Sequence, residues 1–155
     1  HKVNRVSKPA LPLKAYLNLD AFKIYLLDIG LLIAMTDLDA RVIIDGNRIF
    51  TEFKGALTEQ YVLQQLISEV EAEPYYYSTE NSSGEIDFMV QGKTSVIPIE
   101  VKAEENLRAK SLKMFCEKYQ PKYAIRTSMS DYREQEWMTN IPLYNIDRVK
   151  KYMEK

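Results

Sequence analysis

The chain has one cysteine and one histidine in 155 residues, and that scarcity narrows its chemistry. A lone Cys116 excludes an internal disulfide and any multi-cysteine zinc site. It falls on an apolar helical stripe, which predicts a buried thiol. The lone histidine, His1, excludes a Ser-His-Asp triad, an HNH-type nuclease centre and histidine-based zinc hydrolysis. No apolar run approaches the ~18 residues of a membrane span, and no signal peptide is recognisable, so cytoplasm is the default location. Excess charge of one sign is also missing. The net charge of −1 provides no global basic field to recruit nucleic acid, although local basic patches remain open. Any chemistry must run on carboxylates, lysine, hydroxyls and a metal ion.

What is present is an ordinary globular composition, 46% hydrophobic and 28% charged. The length suits one domain with a substantial core. There is no G-x-x-x-x-G-K-[ST] motif, no internal repeat and no low-complexity tract. The chain begins without methionine, within what reads as a strand, and is expected to be a fragment of a longer protein.

The informative stretch is Glu85 to Lys102. Glu85-Ile86-Asp87-Phe88-Met89-Val90 alternates polar and apolar, as a half-buried strand does. Gln91 to Thr94 reads as a turn, with Gly92 free to take a positive φ. Val96 to Lys102 is a second strand, on which Glu100 and Lys102 share one face and Ile99 and Val101 the other. A hairpin of the two brings Asp87 close to Glu100, so two carboxylates and one ammonium converge. Carboxylates held together need a proton, a cation or a metal ion. A structural salt bridge at a strand end is the competing interpretation.

Upstream, Phe53 to Glu71 reads as a helix with Val62, Leu63, Leu66, Ile67 and Val70 on one stripe. Glu59 lies one turn before that stripe and therefore faces inward, as part of a site or of a buried ion pair. Elsewhere the pattern predicts an edge strand over His1–Lys8 and a connector over Pro9–Leu13. A strand over Ala21–Leu27 leads to a short apolar helix, Ile29–Met35, capped by Asp28. Asp37–Asn47 reads as an irregular charged loop, Pro74–Thr79 as a strand, Glu80–Gly84 as a turn and Ala103–Leu107 as a loop. A helix over Arg108–Tyr119, ended by Pro121, precedes a strand over Lys122–Thr127. Ser128–Asn140 is polar, with Trp137 packed at its edge. Ile141–Ile146 is a short strand, and Asp147 caps a last helix running to Lys155.

The order of Glu59 on a helix, Asp87 on one strand and Glu100-Val101-Lys102 on the next resembles the PD-(D/E)XK nuclease superfamily over about Phe53 to Thr127. That resemblance implies an α/β fold with a restriction-endonuclease-like αβββαβ core, a central mixed sheet flanked by helices. It also implies site roles. Asp87, Glu100 and the Val101 carbonyl would hold Mg²⁺ or Mn²⁺; Lys102 would orient the attacking water or stabilise charge; Glu59 would contact metal-bound water or a second metal ion. Glu85 is a further carboxylate beside them. Lys93, Arg108, Lys110 and Lys113 are weaker candidates for phosphate contacts, and for each one individually solvated surface is the stronger reading.

A narrower likeness is carried by F-K-I-Y-L-L-D-I-G-L-L, G-A-L-T-E-Q-Y-V, E-I-D-F and P-I-E-V-K-A. These resemble a C-terminal domain of unknown function found in prokaryotic AAA-type ATPases. The likeness implies a winged-helix tail over 1–13, loosely packed without its neighbours, and the nuclease-like domain over 14–155. It further implies ATPase and winged-helix domains elsewhere in the same protein, ATP used only by that missing ATPase, DNA or other nucleic acid as a partner, and scope for oligomerisation. Two functions follow: a metal-dependent nuclease, or a non-catalytic docking module with a vestigial metal site.

Overall fold

The computed structural model describes residues 1–37, 48–79, 84–103 and 108–155, with side chains of the long helix described from residue 53. The loop expected over Asp37–Asn47 lies outside these residues except for Asp37. So do most of the turn before Asp87 and most of the loop after Lys102.

The domain is a mixed α/β structure. Eight strands, β1 (Lys2–Val6), β2 (Leu17–Ile24), β3 (Tyr75–Ser78), β4 (Glu85–Gln91), β5 (Val96–Val101), β6 (Ile125–Ser128), β7 (Arg133–Glu134) and β8 (Thr139–Pro142), form one sheet. Their order in the sheet is β2-β1-β3-β4-β5-β6-β8-β7. Pairing is parallel for β1–β3, β5–β6 and β6–β8, and antiparallel for the remaining neighbours. Among the described residues, four α-helices flank it: α1 (Ile29–Met35), α2 (Arg48–Ser68), α3 (Lys110–Tyr119) and α4 (Val149–Met153). None of the described helices is long and apolar enough to cross a membrane.

The core lies in two layers because the central strands are apolar on both faces. Every residue of β5 is buried. On one face, Val62, Leu63, Leu66 and Val70 of α2 and its exit pack with Phe88, Val90, Ile97 and Ile99. On the other, Leu112 and Phe115 of α3 pack with Tyr75, Ile86 and Met89. The stripe of α2 thus faces inward as its spacing predicts. Pro98 is tolerated in a central strand because the β6 ladder begins one residue later, at Ile99.

Several local expectations are corrected. β1 is not an edge strand. It lies between β2 and β3, and Val3, Val6 and Leu13 are fully buried, so His1–Leu13 does not pack loosely. The reason is non-local: β1 gains partners on both sides, one of them roughly seventy residues later in the chain. Asp28 does cap α1, its side chain accepting from the Leu31 amide at 2.8 Å. By contrast, Asp147 does not cap the last helix. A 3₁₀ segment, Leu143–Arg148, runs straight into α4, whose cap residue is Arg148 and has no side-chain cap bond. Ile141–Ile146 is correspondingly a strand only to Pro142. Cys116 is only half-buried.

Gly92 is required for space, and its φ lies outside the left-handed region. A Cβ there would stand 3.1 Å from the Ser95 carbonyl oxygen and 3.2 Å from the Met153 backbone, neither of which is a flexible side-chain end. The turn is tied to α4 by the Lys93 amide, which donates to the Met153 carbonyl at 2.8 Å. Gly92→Ala is therefore expected to destabilise the domain by about 1–3 kcal/mol. Urea unfolding measures this, and an unchanged midpoint would mean that α4 yields without cost.

Candidate functional site

Strand register assembles the site. In the β4–β5 pair, Phe88 is opposite Ile99 and Met89 opposite Pro98. Continuing that register by one residue sets Asp87 against Glu100. Asp87 Oδ2 accepts a hydrogen bond from the Val101 amide at 2.7 Å. Glu100 is buried; its Oε2 accepts from the Leu112 amide in α3 at 3.0 Å, and its Oε1 meets Lys102 Nζ at 2.6 Å. The side chain of Lys102 is 30% exposed, so its ammonium lies between the buried glutamate and solvent.

Glu59 reaches the cluster from α2 but is turned toward β2. Its Oε2 accepts from the Tyr25 hydroxyl at 3.0 Å and stands 3.7 Å from Lys23 Nζ. Lys23 Nζ also donates to Glu85 Oε1 in a short, direct ion pair. Next along α2, the buried Gln60 clamps the chain after β2. Its amide accepts from the Leu26 N–H and donates to the Leu26 carbonyl, each at 2.9 Å. That clamp holds Tyr25, whose ring also packs on Phe88 at 5.7 Å, against Glu59.

The electrostatics follow from burial among like charges. Burial pushes the Asp87 carboxyl up to about 7; Glu59 and Glu100 add to the rise, and the Val101 amide and Lys23 oppose it. Burial and then Glu59 push the Tyr25 hydroxyl upward. Burial works against the Lys23 ammonium, but Glu85, Glu59 and Asp87 outweigh it and hold its pKa above the usual lysine value.

Arg126 completes the surroundings. It lies opposite Glu100 in the β5–β6 ladder, and its Nε donates to Asn140 Oδ1 at 2.9 Å. Burial lowers its pKa while Glu100 counteracts the shift. Asn140 is held in turn by the Ser130 and Asp131 carbonyls. The hydroxyl of Thr127, opposite Val101, is buried with no partner among the described residues.

The predicted residues therefore divide. Asp87, Glu100 and Lys102 form one group, and Asp87 also couples electrostatically to Glu59. Glu59 and Glu85 form a second group around Lys23. Arg108, Lys110 and Lys113 are exposed around the start of α3, whose Leu112 amide binds Glu100. Lys93 is elsewhere: it follows β4 at the opposite end of the hairpin, and roughly 13 Å of strand separates Asp87 from Gln91 alone. It takes no part in the cluster, because a turn necessarily lies at the far end from its strand openings.

Sequence reasoning missed Lys23, Tyr25, Gln60 and Arg126. Only Lys23 left a signal, as the polar residue between Phe22 and Ile24 on an alternating strand.

Among the described residues, no group of three or more His, Cys, Asp or Glu side chains is gathered as a ready metal site. The donors beside Lys102 are nonetheless all oxygen and suit a hard cation. Asp87 Oδ1 receives no hydrogen bond from the described residues, and the carboxyl is short of positive charge.

Fold and site together define a mixed α/β domain with a carboxylate–lysine cluster at the ends of its central strands. Residues 54–146, more than half of the chain, match the family described as a domain of unknown function, DUF4143, and the chain belongs to that family. No curated protein and no solved structure matches it.

Proposed function

We propose that the domain is a PD-(D/E)XK-type, Mg²⁺- or Mn²⁺-dependent nuclease module that hydrolyses nucleic-acid phosphodiesters, attached to an AAA-type ATPase. The observation that carries this reading is the placement of Asp87 beside Glu100 with the Lys102 ammonium on Glu100. A bound ion would polarise the phosphodiester and lower the pKa of a water. The chain's own residues supply the rest. Asp87 and Glu100 would hold the ion, with the Leu112 amide fixing the orientation of Glu100. Lys102, facing solvent, meets the charge that develops on the transferred phosphate. Arg108, Lys110 and Lys113 present positive charge on the same side, where a backbone could lie.

A second reading has a specific observation behind it. Leu19, Phe22, Ile24, Leu27, Leu31 and Met35, all on or near β2 and α1, are exposed. Such apolar exposure favours a module that docks a partner or DNA for its ATPase, with its carboxylates neutralised internally by Lys23 and Lys102 as a vestigial site.

Calorimetric titration with Mg²⁺ and Mn²⁺ tests the first reading. Wild type should bind weakly, because a Mg²⁺ site draws part of its ligands from substrate phosphates, and Asp87→Ala should abolish binding. Equal affinity in the variant would move the ion away from Asp87 and remove the basis for this chemistry.

A further inference from the structure

A cavity of about 190 Å³ opens between α3 and the strands β3 and β4. Tyr77, Ile86, Phe115 and Tyr119 line it, with the exposed Met114 on its solvent side. A β-bulge shapes it. Tyr75 pairs with Met89 and Tyr77 with Ile86, so Tyr76 alone stands against both Asp87 and Phe88. Ile86 therefore packs on the α3 side of the sheet and Phe88 on the α2 side, although simple alternation would put both on one face. The cavity thus lies one residue from the carboxylate cluster along two elements. Ile86 precedes Asp87, and Ser111, which also lines the cavity, precedes Leu112, whose amide holds Glu100.

The lining suits a flat heteroaromatic ring. Three aromatic side chains meet around it, with Phe115 5.5 Å from Tyr77 and 4.8 Å from Tyr119 between ring centroids. The polar groups are hydroxyls and one ammonium. Tyr77 and Tyr119 share a hydrogen bond of 2.6 Å, Thr79 and Ser111 add two hydroxyls, and Lys118 lies over the Tyr119 ring at 4.9 Å. Among the described residues no carboxylate lines the cavity. The volume holds one ring system, below the ~300–1,000 Å³ of pockets for drug-sized ligands, and a methionine thioether adapts to such a guest. The surrounding charge points the same way. Lys110, Met114 and Lys118 recur at four-residue spacing, so two exposed lysines about 12 Å apart along the helix stand on either side of Met114. In a chain of net charge −1, α3 carries three lysines against one glutamate.

We propose that this cavity takes one unpaired base of a nucleic-acid strand whose phosphates run along the lysines of α3, so that the domain selects single-stranded or frayed nucleic acid. The inference rests on the nucleic-acid reading above for the class of its ligand. Stacking of a base on aromatic side chains tolerates any sequence. A base inside a duplex is stacked and paired, and enters such a cavity only after extrusion, which costs free energy. An apolar side chain of a peptide would fill the same volume but would leave the cations on either side of Met114 without a counter-charge.

The test is strand preference. A single-stranded oligonucleotide carrying one 2-aminopurine, and the duplex made from it, are titrated without divalent ions into wild type and Ser111→Phe, which fills the cavity with a ring. Wild type should bind the single strand about 10-fold or more tighter than the duplex. Ser111→Phe should lose that preference and keep its duplex affinity. Because Ser111→Phe could fail to fold, the Met114 methyl resonance of wild type provides a variant-free readout, expected to shift upfield as a base stacks beside it. Equal affinity for strand and duplex, a bound strand that leaves Met114 unshifted, or an undiminished preference in folded Ser111→Phe overturns the inference. A Met114 shift given by N-acetyl-leucinamide and not by the oligonucleotide assigns the cavity to an apolar side chain and overturns it too. No binding of either nucleic acid also overturns it, whatever the cleavage assays give. A strand seated in the cavity but left uncut with Mg²⁺ or Mn²⁺ removes the nuclease reading and leaves the inference standing.

Discussion

At pH 8 and without metal, Asp87→Asn is expected to melt higher than wild type. Asp87 is buried beside Glu59 and Glu100, and its carboxyl is raised from 3.8 to about 7. An acid whose pKa is raised by folding binds its proton more tightly in the native state. Between about 4 and 7 the native state keeps the proton while the unfolded chain has lost it, so stability falls as pH rises through that window. Below it both states are protonated, and above it the loss is complete. The shift corresponds to on the order of 4 kcal/mol. Asparagine keeps an oxygen for the Val101 amide and carries no charge, so it removes most of that penalty. In a domain of this size each kcal/mol moves Tm by ~2–4 °C, which predicts a gain of roughly 5–10 °C at pH 8, shrinking toward zero near pH 4. Thermal unfolding of both proteins across pH 4–8 measures it. Parallel pH profiles, or a variant that melts lower throughout, would show that the Asp87 charge is already compensated. Mg²⁺ sharpens the comparison: it should raise the Tm of wild type and not that of the variant. A site residue that lowers the stability of the free domain is what retention for binding predicts.

Lys102→Met distinguishes the nuclease from the docking module. The substitution keeps an apolar stem and deletes the ammonium 2.6 Å from Glu100. Breaking a buried pair costs about 3–5 kcal/mol. Here Lys102 is partly exposed and Glu100 keeps the Leu112 amide and the attraction of Arg126, so about 1–2 kcal/mol is expected. If Lys102 acts on transition-state charge, turnover should fall at least ~10²-fold while divalent binding persists or tightens, because an ion replaces the missing charge beside Glu100. The measurements are Tm with and without Mg²⁺ and cleavage of single- and double-stranded DNA and RNA, in the domain alone and joined to the AAA-type ATPase that the proposal invokes. Wild-type cleavage lost in a folded variant supports the nuclease. If wild type cleaves nothing in either context and the variant merely melts earlier, the docking module is the better account.

The grouping of the carboxylates and Lys102 was legible in the sequence because its central pieces are local. Asp87 and Glu100 lie on the two strands of one hairpin, where period-two alternation sets the faces and a short turn limits the register. Glu59 was found for a similar reason, since helical spacing ties it to a stripe within its own helix. Asp28 could be read because a cap bonds three residues away. The residues that neutralise the site were hidden for the opposite reason. Lys23 arrives from β2, Tyr25 from the residue after it and Arg126 from β6, by strand pairings and packing that span tens of residues and leave no local pattern beyond the alternation at Lys23. β1 looked like an edge because short strands look alike wherever they lie, and only its partners, β2 and β3, make it interior. Lys93 resembled a phosphate contact until the hairpin placed it at the wrong end. By itself the sequence determined which charged groups share the hairpin and which two strands carry them. Only the tertiary structure decided how they are charged, because the fields of Lys23, Lys102 and Arg126 act through space between segments that the chain order keeps apart.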